Sequence, residues 1–376
     1  MMKTVFHKSA LLGLACACAI ATTSAHAATA TATATATAVA DPLSRSAVMV
    51  RAPAKAFLAG LAHAGKRLIA VGERGIIVLS DDNGGTWRQA KVPSSVTLAA
   101  VQFPTPSKGW AVGHYGVILH SADGGETWTR QLDGTQAAQL ALRDAQGCGN
   151  ATYLSEAQRL VSDGPDKPFL GLHFTDENNG FVVGAYNLIF RTRDGGKTWT
   201  PWLSHLENPR GNHLYAVRVV GDTVYIAGEQ GLLLRSINGG ERFDRIDTGY
   251  KGSFFTMAAG KDGDATVAGL RGNAYRTADR GATWQKLESP VPVSITAAAV
   301  RPDGSLLLAN QAGQLLAGTP NGGPLLPLKT PGLPPLNDLL VQPDGSVVVA
   351  TIVGAMHLPA AALLPGSASP TSMAAK

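Results

Sequence analysis

Ser121-Ala122-Asp123-Gly124-Gly125-Glu126-Thr127-Trp128 decides the fold, because the chain repeats it. Ser80 to Trp87 reads SDDNGGTW, Thr192 to Trp199 reads TRDGGKTW and Thr277 to Trp284 reads TADRGATW, with a weaker copy, SINGGERF, from Ser236 to Phe243. The shared pattern, S/T-x-D-x-G-x-T-W, has the chemistry of a tight hairpin. An Asp or Asn side chain accepts backbone N–H groups of its own turn. The Gly two residues on takes positive φ without steric cost, and Thr-Trp starts a strand with β-favouring residues. The residues assigned to these structural turns are Asp82, Gly84, Trp87, Asp123, Gly125, Trp128, Asp194, Gly196, Trp199, Asp279, Gly281 and Trp284.

Working outward, the turns recur with a period: 41 residues from Trp87 to Trp128, 44 from Trp199 to Phe243 and 41 from Phe243 to Trp284. The 71 residues between Trp128 and Trp199 hold one period plus an insertion. A second landmark precedes each turn: Val71-Gly72-Glu73-Arg74-Gly75, Val112-Gly113-His114-Tyr115-Gly116, Val183-Gly184-Ala185-Tyr186-Asn187, Ala227-Gly228-Glu229-Gln230-Gly231 and Ala268-Gly269-Leu270-Arg271-Gly272. Two residues between apolar runs, flanked by Gly or Asn, make another hairpin turn. Each unit is therefore a four-stranded antiparallel blade, and periods of this length mean a propeller.

Residues 294–328 keep the rhythm with Pro320 at the Asp position, and 336–358 supply three strands. Ala47-Val48-Met49-Val50 is expected to add the missing fourth strand and close the ring, removing an exposed edge. The fold class is all-β: a seven-bladed β-propeller over residues 46–361. Within it lies an insertion, 133–168, where Leu154, Ala157 and Val161 fall at helical spacing in Ala151 to Val161. This predicts a short amphipathic helix. Successive antiparallel turns alternate between the two ends of a blade, which puts the insertion on the face of the G-x-x-G turns.

Residues 1–27 read as a secretory signal: Lys3 and Lys8, an apolar run from Ala10 to Ala21, then Ala25-His26-Ala27. The run is too short to span a bilayer. A lipoprotein signal ending at Cys16 or Cys18 is the other reading. The expected location is the periplasm or the medium. Residues 28–45 are an Ala/Thr-rich low-complexity linker and 362–376 a disordered tail. Cleavage would leave Cys148 as the single cysteine, so no disulfide can form within a monomer. It would also remove two lysines, taking the formal charge from +5 to +3. With no dense Lys/Arg run, nothing supports nucleic-acid binding.

The turn aspartates are poor candidates for catalysis, since successive blades spread them round a rim and Asn238 stands in for one of them. The nine histidines are scattered and no His or Cys pair has ligand spacing, so neither metal nor other cofactor is expected. Cys148, in Gly147-Cys148-Gly149, has no base beside it in the sequence. What remains is the face of the G-x-x-G turns. Its candidate partner-binding residues are Arg74, His114, Tyr115, Tyr186, Glu229 and Arg271, because Tyr and Arg are the types that carry interface energy. Arg191, Arg235 and Arg276 form a further basic series just before three of the Asp turns.

V-G-x-x-G followed by I-x-x-[ST]-x-D-G-G-x-T-W, best preserved at Gly109 to Trp128 and Gly180 to Trp199, resembles the Asp-box (BNR-like) propellers. More narrowly, residues 46–358 resemble the photosystem II stability and assembly factor family. Asp163 to Phe169, leading into Phe181 to Tyr186, is similar to its non-photosynthetic bacterial branch. The resemblance implies a non-catalytic protein that assists a membrane subunit through a basic surface, to which Arg191, Arg235 and Arg276 are the nearest counterpart. Sialidases share the Asp turn, and resemblance to them would imply an arginine triad, a Tyr–Glu pair and an Arg-Ile-Pro element. Ser44 to Arg51, before the first blade, holds no such element. The function expected is that of an exported, non-enzymatic, monomeric propeller binding a protein partner, a membrane protein or envelope complex. The alternative is a sialidase-like glycoside hydrolase, which would need two carboxylates at hydrolytic separation.

Overall fold

The Asp turns close by the bonds their sequence implies. In a computed structural model, which describes residues 41–260, 263–320 and 322–365, Asp123 Oδ1 accepts from Ser121 Oγ at 2.8 Å and from the Thr127 N–H at 3.0 Å. Its Oδ2 accepts from Thr127 Oγ1 at 2.6 Å, and Trp128 Nε1–H donates to Gly125 O at 2.9 Å. Asp82, Asp194 and Asp279 accept from the same positions of their own turns. Asn238 keeps the bonds from Ser236 Oγ at 2.7 Å and the Arg242 N–H at 3.1 Å.

These turns also join blades. A Cβ on Gly125 would stand 2.9 Å from Ile69 of the preceding blade, and one on Gly281 would stand 2.8 Å from Tyr225. The glycine serves the positive φ, +89° and +80° respectively, and the close approach together.

Seven antiparallel sheets follow in chain order, spanning residues 58–89, 98–132, 169–201, 214–245, 254–287, 295–329 and 336–358. The first five have four strands each. Blade six gains a fifth, Leu364–Pro365, beside its outer strand Leu326–Lys329. Second strands such as Gly109–Gly113, Gly180–Gly184 and Val347–Thr351 are buried at every residue, because a neighbouring blade covers each side. The core is therefore a series of apolar layers between adjacent blades, the largest uniting blades two to four with the helical insertion.

Closure differs from the expectation. Blade seven has three strands, and Ala47–Val50 pairs with no sheet. That segment lies beside blade one instead, where Ala47 N–H donates to Val92 O at 3.0 Å and the Gln89 side chain bonds the backbone of Val48 and Val50. Val48, Met49 and Val50 all stay exposed, so the segment contributes no core. Blades seven and one meet at their inner strands through side chains. Asp338 Oδ2 accepts from Leu61 N–H at 2.8 Å, and Asn337 Nδ2 donates to Leu58 O at 2.7 Å.

The insertion holds two helices where the sequence pattern predicted one: α1 (Gly134–Cys148) and α2 (Ala151–Asp163). Asp133 and Gln136 form a capping box at the start of α1. Gly149, at φ +70°, ends it, and Asn150 caps α2 by accepting from Tyr153 N–H. The buried stripe of α1 is Ala137, Ala138, Ala141 and Ala145. Alanine at these positions gives a weak apolar period, which hid the helix. No helix among the described residues is long and apolar enough to cross a membrane. The proposed signal, the linker up to residue 40 and the tail beyond 365 lie outside the described residues.

Candidate functional site

Five G-x-x-G connections fold as tight 3₁₀ or hairpin turns on one face. Their third residue is never glycine, yet always left-handed: Arg74 (φ 51°), Tyr115 (56°), Tyr186 (54°), Gln230 (54°) and Arg271 (57°). The following residue is left-handed too, Gly75, Gly116, Gly231 and Gly272, with Asn187 at φ 64° in blade three. Two consecutive left-handed residues turn the side chain of the first outward in four of the turns, whereas Tyr115 packs against the core. Arg74, His114, Tyr186, Gln230 and Arg271 are exposed, while Tyr115 and Glu229 are half-buried.

The six candidate residues share this face but do not form one cluster, since they sit on five successive blades. Only around blades three to five does contact chemistry converge. Tyr186, 49 % exposed, meets His213 edge-on with ring centroids 4.7 Å apart. His213 leads to Tyr215 at 6.3 Å, and Tyr215 to Phe255 at 5.4 Å. The four rings make a trough from the rim to the inner strands. Its floor is fixed: Tyr186 N–H donates to His213 Nδ1 at 3.1 Å, and Glu229 Oε2 accepts from His213 N–H at 3.3 Å. Lys167, at the exit of the insertion, places its ammonium 5.6 Å from the Tyr186 ring centroid. His213, Tyr215 and Phe255 lie outside the repeated turn motif, so the repeat gave no signal for them.

The helical pair packs at the margin of this face, with α1 against the turn His114–Gly116 and the outer strand Thr200–Pro201 of blade three. Tyr153 OH donates to Asp144 Oδ2 at 3.0 Å between the two helices. Burial, then the Asp144 carboxylate, push the Tyr153 phenol far above its ordinary range. This locks the hairpin and offers no acid or base.

The Asp turns line the opposite face, and their carboxylates are spent. The Thr86 hydroxyl and N–H hold Asp82 down to about 2, and Thr283 does the same for Asp279. The basic series is likewise engaged. Arg191 packs 5.0 Å from the Phe181 ring centroid and 5.1 Å from that of Trp202, and pairs with Glu241 of the next blade at 2.9 Å. Arg235 donates to Arg280 O at 3.2 Å and Arg276 pairs with Asp264 at 2.6 Å. The first two arginines tie neighbouring blades together, and Arg276 is paired within blade five. Among the described residues no group of three His, Cys, Asp or Glu side chains is placed to hold a metal.

The sequence model of the family described as photosynthesis system II assembly factor YCF48 matches residues 80–166 and 155–316. A curated relative, the photosystem II assembly lipoprotein Ycf48 of Synechococcus sp. (strain CC9902), is 34 % identical over 92 residues, which are 24 % of this chain and 28 % of that protein. A solved structure of YCF48 bound to D1 peptide superposes with a TM-score of 0.57 at 16 % identity, covering 84 % of this chain and 96 % of that one. The GH74 xyloglucanase of Xanthomonas campestris gives the same TM-score and identity, covering 83 % of this chain and 52 % of its own. At such identities the superpositions speak for the propeller fold alone. The family assignment rests on the repeats between residues 80 and 316: this chain belongs to the photosynthesis system II assembly factor YCF48 family.

Proposed function

We propose that this protein is an exported, non-enzymatic propeller that holds a protein partner on its G-x-x-G face and assists assembly of a membrane complex. The observation that carries the reading is the trough Tyr186–His213–Tyr215–Phe255, with half-buried Lys167 at the Tyr186 ring and exposed Arg271 on the turn of blade five. Aromatic rings of restricted freedom with arginine beside them suit polypeptide recognition, because they bury area at small entropic cost. Left-handed backbone at Tyr115, Tyr186 and Arg271 is strained for any side chain, and such outliers gather at functional surfaces. The YCF48 relative bound to D1 peptide is in keeping with a polypeptide partner. No catalytic residue is assigned, since the turn carboxylates are taken up in their own turns.

Affinity capture from detergent-solubilised envelopes, read by mass spectrometry, tests the proposal. One membrane protein should be enriched by the wild type and lost with Tyr115→Ala, Tyr186→Ala and Arg271→Ala combined, while circular dichroism stays unchanged. Retention by that variant would overturn the choice of face. Sugar release from a panel of glycosides, lost on replacing one carboxylate, would overturn the non-enzymatic reading.

A further inference from the structure

The opposite end of the central channel holds a cavity of about 1110 Å³ among blades one, three to five, six and seven. Its asymmetry comes from the inner strands. Counting four residues on from the first residue of each gives Gln102, His173 and Arg218 on blades two to four, but Ala62, Ala258, Ala299 and Leu340 on blades one, five, six and seven. Long polar side chains fill one side of the channel; alanines leave room on the other. The wall on blades five and six mixes an apolar strip of Ala258, Ala259, Ala265, Val300 and Pro302 with polar Thr266, Arg301 and the Asp264–Arg276 pair.

On the cavity wall a cation has no carboxylate beside it and a buried donor lacks an acceptor. Arg218 donates through one nitrogen to Val217 O at 2.8 Å, and among the described residues no carboxylate comes within 4.0 Å of its guanidinium. Gln342 borders the same cavity, is 3 % exposed, and its Nε2 finds no acceptor. An unsatisfied buried donor costs about 1–3 kcal/mol. The acids at the mouth are otherwise engaged, Asp264 with Arg276 at 2.6 Å and Asp303 with Ser305 of its own hairpin. Asp338 lies deeper and accepts N–H groups from Leu61 and Leu339. His173 brings no second charge, because burial first and Arg218 second hold it neutral, down to about 3.

We propose that this cavity is a binding site for a small organic monocarboxylate with an apolar body, its carboxylate accepting from Arg218 and Gln342 and its body lying on the alanine wall. Arg301 also lines the cavity, and among the described residues no carboxylate comes within 4.0 Å of its guanidinium, so two cations favour an anionic ligand. The volume suits a ligand of drug size. The site lies on the face opposite the aromatic trough and is independent of partner capture there.

The test uses 4-phenylbutyrate and its uncharged counterpart 4-phenylbutyramide, titrated into the full chain by calorimetry. The acid should bind with a Kd below about 1 mM and at least about tenfold more tightly than the amide, a margin of roughly 1.4 kcal/mol. Arg218→Gln should erase that preference. Ala259→Leu, which intrudes on the half-open apolar strip, should weaken binding of acid and amide alike, and keeps the test sharp if the Arg218 variant fails to fold. Equal binding of acid and amide, no binding of either up to about 10 mM, or undiminished binding by Ala259→Leu would each overturn the assignment.

Discussion

Asp338→Asn should reverse sign with pH. Asp338 sits deep in the channel with partial access to solvent, and burial raises its carboxyl to about 6 against the pull of the Leu61 and Leu339 N–H groups and of Arg218. Below about pH 4 the group is protonated folded or unfolded and titration contributes nothing. As pH rises from about 4 to 6, the unfolded chain gives up its proton while the folded chain keeps it, so stability falls. Two pKa units at about 1.4 kcal/mol each give a loss of about 3 kcal/mol, complete by pH 7. Asparagine does not titrate. It does lose one acceptor, since Oδ1 and Oδ2 now serve Leu339 and Leu61 separately and an amide nitrogen accepts from neither, which costs about 1 kcal/mol. The variant should therefore be less stable than wild type by about 1 kcal/mol at pH 4 and more stable by about 2 kcal/mol at pH 7. Urea unfolding followed by tryptophan fluorescence at four pH values measures the difference. The distant turn aspartates titrate alike in both proteins and cancel. A difference that stays constant across pH, or runs the other way, would refute the reasoning.

The remaining predictions concern the turns. Gly231→Ala should cost about 3 kcal/mol or more in chemical denaturation, since its Cβ would stand 2.0 Å from Tyr250 O at φ +73°, whereas Gly249→Ala, at φ +74° with nothing within 4 Å, should cost only about 1 kcal/mol. Asp123→Ala should cost about 2 kcal/mol and Asp123→Asn about 1 kcal/mol, because asparagine keeps the Oδ1 bonds as Asn238 does. Burial raises the Asp123 carboxyl, but the Thr127 and Ser121 bonds outweigh it and lower it overall, so this stability is present above about pH 4 and is lost as pH falls further. The gap between wild type and Asp123→Asn should shrink correspondingly in acid melts. Arg74→Gly, Gln230→Gly and Arg271→Gly together should raise stability by about 1–2 kcal/mol, relief of left-handed strain exceeding the entropy of added glycine, while weakening partner capture. A lower melting temperature for that triple variant would contradict the strain argument.

The turn motif made the architecture legible because each residue in it has one local task. Asp binds its own turn, Gly both turns and packs, and Trp packs between strands, so five copies announced seven blades with only two worn ones to infer. Closure was not legible. Val48, Met49 and Val50 have β-favouring side chains, but Gln89 and Val92 of blade one hold the segment, and ring closure rests on Asp338 and Asn337, two polar residues in an otherwise ordinary inner strand. Helix α1 was missed because alanine packs well against a neighbour while scoring weakly as apolar. The trough on the G-x-x-G face was not legible, because His213, Tyr215 and Phe255 belong to inner strands and their approaches, where the repeat predicts burial but no identity.

That contrast separates scaffold from chemistry in this propeller. Positions that repeat, such as Asp123 and Gly125, are consumed in turns and blade contacts, and their side chains have no capacity left for a ligand. On both proposals, chemistry resides where blades differ at equivalent places: Arg218 against Ala258 in the channel, Tyr186 against Gln230 at the turns. The two sets occupy opposite ends of the channel, with the inner strands and Asp338 between them. A change confined to side chains at one end should therefore leave the other intact. Combining Arg218→Gln with the Tyr115, Tyr186 and Arg271 triple variant should yield a protein that loses both carboxylate preference and partner capture, each to the extent seen alone. If loss of the channel cation altered partner capture by itself, the ends would be energetically coupled through the inner strands, and the division into two independent sites would fall.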